Sequence, residues 1–274
     1  MSQRRSIAPV KQRGPPVPPD GRQHLDAATT LRPETIRQTR LDPAAIETAG
    51  VVLCDLDGCL ISEGRAFGDA PRFAAACGDR LWIVSNRSDT TAALLSARLA
   101  PLGLHVPPAR ILLAGEVALE QLAHAGVERL RLWADPALQA RARTLGLDID
   151  APRPEAVLLC RDAAVTVETM GPLLAEVASG AALWVANEDL SHPGHDGAPV
   201  AETGALLAAL RAIRPELGWR SLGKPDPLML TTALARSGMA AAEAVFVGAN
   251  AATDGRAAVA AGIPFLHLQR SVTR

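Results

Sequence analysis

The chain has 274 residues, 48% of them hydrophobic, and a formal net charge of -1, which suits one large domain or two modest ones with a substantial core. The near-neutral balance leaves no global basic footprint for nucleic acid, and the lack of Tyr among only 3% aromatic residues argues against a base-stacking surface. No segment reaches the ~20 apolar residues of a membrane span, and MSQRRSIAPVKQRGPP carries charge without an apolar stretch of signal-peptide length, so a soluble, cytoplasmic protein is expected.

Residues 1–24 are rich in Pro, Arg and Gln around GPPVPPDG and read as a disordered leader. Its Arg4, Arg5, Lys11, Arg13 and Arg22 are the groups that could touch an acidic partner. Residues 25–47 read as a short helical lead-in, with Asp42-Pro43 in the form of an N-cap and a first-turn proline ahead of AAIETA. Apolar runs of strand length follow at 51–54, 81–84, 110–113, 129–133, 156–160, 181–186, 244–247 and 264–268. Ala/Leu-rich amphipathic stretches alternate with them at 89–101, 116–125, 136–145, 170–179, 203–213, 226–237 and 253–261. This alternation predicts an α/β fold with a Rossmann-like parallel sheet covered on both faces.

The interval from Ser85 to Lys224 is too long for one crossover and holds its own strand–helix series. An inserted domain at 128–219 is therefore expected within a core made of 48–127 and 220–274. Above the carboxyl edge of the core sheet it would exclude water and select the substrate.

Four segments place polar groups at the ends of apolar runs, the sheet edge where open α/β folds bind ligands. VVLCDLDGCL carries Asp55 and Asp57, LWIVSNRS carries Ser85 and Asn86, GKPDP carries Lys224 and VFVGANAATD carries Asp254. Residues two apart on an extended segment share a side, so Asp55 and Asp57 can converge, with Gly58 permitting the turn away. Two such carboxylates can divide labour, one as nucleophile and one as acid then base. A phosphate beside them needs countercharge, which Mg²⁺ on hard oxygen ligands and the Lys224 ammonium would supply. Ser85 and neighbouring backbone N–H groups would bind phosphate oxygens, helped by the dipole of a helix starting near Asp89.

On these motifs the chain resembles the haloacid dehalogenase (HAD) superfamily, in subgroup IIA with a C2-type cap, over residues 48–270. That subgroup includes NagD-like nucleotide, phosphoglycolate and pyridoxal-phosphate phosphatases. The resemblance implies Asp55 as nucleophile and Asp57 as acid/base in DLDGCL, Ser85 and Asn86 as phosphate-binding in VSNRS, and Lys224 as the catalytic lysine in GKPDPLML. WVANEDLSHPGHDGAPVAETGALLAAL resembles the cap's Asn-x-Asp stretch and Gly-containing helix start, implying that Asn187 and Asp189 face the substrate or position the cap. It further implies Mg²⁺ on Asp55, Asp57 and Asp254, a small phosphorylated metabolite as substrate and a homodimer paired through the cap. The fourth motif departs from the family: Gly248-Ala249-Asn250 lacks the acid that ligates the metal. Rescue would have to come from Asp254, directly or through water, or from the side-chain oxygen of Asn250.

Two functions follow, a Mg²⁺-dependent phosphomonoesterase working through an aspartyl-phosphate, and a weakened or inactive descendant that binds a phosphorylated ligand. A third, weaker reading makes the basic leader an interaction segment. Among the remaining residues, Arg87 reads either as a ligand-reaching group or as a solvated one, and Glu63 and Arg65 lie near the site entrance. His192 and His195 read as loop residues rather than a zinc pair. Asp79-Arg80 and Glu128-Arg129 read as exposed turn charges, and Trp82, Trp133, Trp184 and Trp219 as core packing. Cys54, Cys59, Cys77 and Cys160, without metal-type spacing, read as reduced core thiols.

Overall fold

The computed structural model describes residues 35–193 and 198–270. The leader at 1–24, the first part of the lead-in at 25–34 and His195 lie outside the described residues. The chain forms β1 (Thr35–Gln38), a 3-10 turn (Pro43–Ile46), β2 (Val51–Cys54), the pair β3 (Ile61–Ser62) and β4 (Arg65–Ala66), α1 (Ala70–Cys77), β5 (Leu81–Ser85), α2 (Ala92–Leu99), β6 (Ile111–Leu113) and α3 (Ala114–His124). Next come β7 (Leu130–Trp133), α4 (Pro136–Thr144), β8 (Ala156–Leu159), α5 (Val167–Ala178) and β9 (Ala182–Val185), then β10 (Ser191–Pro193), β11 (Pro199–Ala201), α6 (Thr203–Ile213) and β12 (Arg220–Ser221). It returns through α7 (Leu228–Ser237), β13 (Ala244–Gly248), a π-helical turn (Ala251–Gly255), α8 (Arg256–Ala261) and β14 (Phe265–Leu268).

The main sheet has six parallel strands in the order β1-β14-β13-β2-β5-β6. Its central strands are buried from end to end because both faces are covered. The two-residue period divides their side chains between layers. Val51, Leu53, Trp82, Val84 and Phe246 pack with α3, α7 and α8 on one face. Val52, Cys54, Ile83, Val245 and Val247 pack with α1 and α2 on the other. Each large apolar side chain buried this way contributes roughly 1.5–3 kcal/mol. The four cysteines are free and buried, as the sequence reading expected.

A second parallel sheet, β12-β9-β8-β7, interrupts the first in sequence. Leu130, Leu132 and Leu158 join the cluster that includes α3 and α4, while Val157, Leu159, Leu183 and Val185 pack against Leu173 of α5 and Leu207 and Leu210 of α6. Its fourth strand, Arg220–Ser221, falls just past the expected boundary at 219.

Three expectations need correction. The lead-in is not helical throughout: Thr35–Gln38 is a strand along β14, and only Pro43–Ile46 is a helical turn, capped by the Asp42 carboxylate accepting from Ala44 N–H. Four mostly exposed residues leave no hydrophobic period to read, and the free edge of β14 decides their state. Arg80 is not a solvated turn charge, since its guanidinium donates to the carbonyls of Ile46, Ala49 and Ala76 at 2.7–3.2 Å. The helix expected near Asp89 starts at Ala92, whose N–H donates to the Glu116 carboxylate, while Asp89 pairs with Arg161 at 2.8 Å. Among the described residues no helix is long and apolar enough to cross a membrane.

Candidate active site

β2 delivers Asp55 to the carboxyl edge of the main sheet, and Asp55 N–H still donates to the Val247 carbonyl at 2.8 Å, extending the ladder one residue. The chain then turns at Gly58, at φ 80°. The β3–β4 turn follows through Glu63 and Gly64, both at positive φ, the conformation a two-residue hairpin of matching twist requires. β5 ends at Ser85 beside Asp55, and the Gly223-Lys224 turn and the π-helical turn after β13 complete the floor. Asp55, Asp57, Ser85, Asn86, Asp189, Lys224 and Asp254 all line one cleft of about 520 Å³. Asn187 lies behind that wall, fully buried.

Lys224 is the centre of the floor. Its ammonium is 2% exposed and sits 2.8 Å from Asp55 Oδ1, 2.7 Å from Asp254 Oδ1 and 3.2 Å from the Val84 carbonyl. Burial by itself would push this ammonium down, but the charges of Asp254 and Asp55 outweigh it and hold it above the usual lysine range. Burial pushes the Asp55 carboxyl up to about 7, with Lys224 opposing and Asp254 and Asp57 adding to the rise. Asp254 can lie this deep because residue 248 is glycine: a Cβ there would stand 2.5 Å from Asp254 Cβ and 2.6 Å from its Oδ2. The π-helical turn swings Asp254 back so that Oδ2 accepts from Asn250 N–H at 3.0 Å.

Asn86 and Asn187 tie the two sheets together at this edge. Asn86 Oδ1 accepts from Lys224 N–H at 2.8 Å, and its Nδ2 donates to Asp189 Oδ2 at 2.9 Å and to the Lys224 carbonyl at 3.0 Å. Asn187 Nδ2 donates to the Asn86 carbonyl at 2.7 Å and Asn187 Oδ1 accepts from Asp189 N–H at 3.1 Å. Asn86 thus lines the cleft while holding backbone, and Asn187, behind the wall, holds backbone rather than facing the cleft. Burial raises the Asp189 carboxyl, with the Asn86 hydrogen bond and Lys224 opposing. Two residues absent from the sequence reading close this junction, Ser88 and Thr203, buried and hydrogen-bonded to each other at 2.9 Å. Nothing in one dimension pairs hydroxyls 115 residues apart.

Asp57 stands apart from that network. Arg87 holds both its oxygens, Nε to Oδ2 at 2.8 Å and Nη2 to Oδ1 at 2.9 Å, with the two side chains 23% and 31% exposed. Of the readings left open for Arg87, the solvated one gives way to a clamp on the expected acid/base, at the wall of the cleft. His192 is on β10 rather than in a loop, with Nδ1 2.7 Å from Glu202 Oε1. Glu63 reaches the cleft wall, and Arg65 does not.

The donor set does not fit a tightly held divalent ion. Ala249 presents a methyl group at the cleft wall, 3.4 Å from where a Cβ on Gly58 would stand. Asn250 uses its side-chain oxygen to cap the π-helical turn, accepting from Ala252 N–H at 2.9 Å. Asp57 is on Arg87, and Asp254 and one oxygen of Asp55 are on Lys224. Among the described residues no three His, Cys, Asp or Glu side chains group closely enough to share a cation. The trio expected to hold Mg²⁺ is therefore gathered in one cleft without forming such a group.

A Rossmann-like parallel sheet with an Asp-x-Asp pair, a Ser-Asn strand end and a buried lysine at one edge defines a hydrolase class. Residues 52–148 match the haloacid dehalogenase-like hydrolase family profile, and 221–274 match the profile of HAD-hydrolase-like proteins. The chain belongs to the haloacid dehalogenase-like hydrolases, in the NagD-like subgroup IIA. It is 28% identical to a dihydroxyacetone phosphatase of Corynebacterium glutamicum (strain R), over 77% of this chain and 78% of the relative. It is 30% identical to the D-glycerol 3-phosphate phosphatase of Mycobacterium tuberculosis, over 78% of this chain but only 61% of the relative. The structure of NagD from Escherichia coli K-12 superposes with a TM-score of 0.74 at 25% identity, covering 83% of this chain and 90% of the other. The M. tuberculosis glycerol phosphate phosphatase in complex with magnesium gives 0.75 at 26% identity, covering 83% and 70%.

Proposed function

We propose that the chain hydrolyses the phosphate monoester of a small metabolite through an aspartyl-phosphate on Asp55. The observation that carries this reading is Asp55 at the end of β2, one oxygen on Lys224 and its neighbours in the cleft Asp57 and Ser85. Lys224 orients the nucleophile, and the other oxygen of Asp55 attacks phosphorus as the ester oxygen leaves. Asp57, freed from Arg87, takes up a proton from solvent or from the ester's own phosphate, gives it to that leaving oxygen, and then takes one from the water that hydrolyses the acyl phosphate. Ser85 and the N–H groups around it receive the phosphate oxygens. A cleft of about 520 Å³, lined also by Ser62, Leu190, Ser191 and His192, suits a small ester. The phosphatases among the relatives support the reaction class.

Magnesium or calcium accompanies the M. tuberculosis relative in its structures. A divalent ion in this chain would lack a carboxylate at residue 249, where an alanine stands. The same alanine favours a second reading, a weakened protein that binds a phosphorylated ligand. Release of aryl alcohol from a generic aryl phosphate across a Mg²⁺ titration separates the two, with Asp55→Asn alongside. Turnover in the parent and none in Asp55→Asn supports the hydrolase. No turnover at any Mg²⁺ concentration, restored by Ala249→Asp, supports the binder.

A further inference from the structure

The cleft has to neutralise a phosphate beside Asp55 and Asp57, and among the described residues only Lys224 and Arg87 line it with a permanent cation. Lys224 is already committed and 2% exposed. Its ammonium donates to Asp55 Oδ1 at 2.8 Å and to the Val84 carbonyl at 3.2 Å, and its charge is shared with Asp254 Oδ1 at 2.7 Å. Arg87 differs on both counts. It carries five N–H donors in a fixed fork, two of which meet Asp57, and Nη1 makes no hydrogen bond to a described residue. It also faces the cleft partly exposed, so its pair can open without stranding a buried charge.

We propose that Arg87 is the oxyanion receptor of this cleft. Its fork exchanges the Asp57 carboxylate for the ligand's phosphate, supplying the charge for which residue 249 offers no metal ligand, so that phosphate binding needs no divalent ion. The two anions are interchangeable partners because a guanidinium binds carboxylate and phosphate with the same two-point geometry. The exchange has a second consequence: it releases Asp57, which cannot act on a leaving group while Arg87 holds both its oxygens. Ligand binding and release of the acid/base are thus one event. The inference rests on the phosphate-ester reading of this cleft.

The test is calorimetric titration of inorganic phosphate into the full chain, once with a chelator and once with Mg²⁺. Equal affinity in the two is expected. Arg87→Lys keeps the charge but loses the fork and should weaken binding roughly 10- to 100-fold, and Arg87→Ala combined with Asp57→Asn should weaken it at least as much. Melting curves of each variant exclude loss of fold as the cause. Binding only with Mg²⁺, no binding in either condition, or parental affinity in both variants would overturn the proposal. Aryl phosphate turnover on the same preparations keeps the two readings apart. Metal-free phosphate binding without turnover sinks the hydrolase alone, and turnover with phosphate binding only in Mg²⁺ sinks the Arg87 inference alone.

Discussion

Lys224 and Arg87 each meet an aspartate at 2.8 Å across the same cleft, yet burial separates them. Lys224 is 2% exposed, shared between Asp55 and Asp254, and stands over the Phe246 ring at 5.5 Å. Arg87 and Asp57 form a single pair partly open to solvent. A buried pair is costly to break because the surviving charge has no water to turn to, whereas an exposed pair contributes little and can change partners. One cation is therefore part of the fold and the other is available to a ligand.

The sharpest way to break this comparison is Lys224→Met. It leaves Asp55 and Asp254 together without a cation and should cost about 3–5 kcal/mol of stability in urea unfolding. Adding Asp254→Asn should recover part of that loss. A cost below about 1 kcal/mol would mean the lysine is solvated like an exposed pair.

Packing at the junction of the two sheets gives the next effect. A Cβ on Gly204 would stand 2.2 Å from the Glu188 carbonyl oxygen and 2.6 Å from that of Asp189. Because Gly204 N–H also donates to the Asp189 carbonyl at 2.8 Å, the cleft wall rests directly on the start of α6. Gly204→Ala should cost about 1–3 kcal/mol. Gly171→Ala in α5, where a Cβ meets open space, should instead add about 0.5–1 kcal/mol from helix propensity. Equal melting shifts for both would contradict this account.

A smaller, pH-dependent effect comes from the pair outside the cleft. Burial pushes the Asp69 carboxyl up, but the hydrogen bonds from Arg270 and from Leu41 N–H outweigh it, and the net direction is down. With the folded value below the unfolded one, near ~3.9, the stabilisation is present above the unfolded value and fades as pH falls through the folded one. Arg270→Ala should cost about 1–2 kcal/mol at neutral pH, and the gap from the parent should close in acid. A gap that persists there would assign the loss to the other Arg270 contacts, its hydrogen bond to the Cys59 carbonyl at 2.6 Å and its packing on the Phe67 ring 3.8 Å away.

The same contrast explains what could be read in one dimension. All eight expected strands exist; those in the main sheet and β8 are buried nearly throughout, which leaves a continuous apolar signature, while β7 and β9 bury every second residue. The exposed β1 and the two-residue β12 were invisible for the opposite reason, since partner backbone rather than side-chain pattern makes them strands. Asp55, Ser85, Lys224 and Asp254 were legible as polar residues ending apolar runs. The Arg87–Asp57 clamp was not, because the contact joins two loops 30 residues apart and no periodicity constrains it. Ala249 was legible only as a departure. That Asn250 is occupied as a cap, and so offers no replacement, needed the turn geometry.

The smallest expected effect on stability is the one that most sharpens the comparison. Arg87→Ala removes the partner of Asp57, but Asp57 is 31% exposed and water can replace the guanidinium. The loss should stay within about 1 kcal/mol, well below that of Lys224→Met. Urea midpoints of the two variants measured side by side check this directly. If Arg87→Ala proves as damaging as Lys224→Met, its guanidinium is a structural strut, its exchange onto a ligand would unravel the wall it holds, and the division between a fixed and an exchangeable cation fails. If it is nearly silent, Asp57 can be uncovered at little cost to the fold, which is what an acid/base released by ligand binding requires.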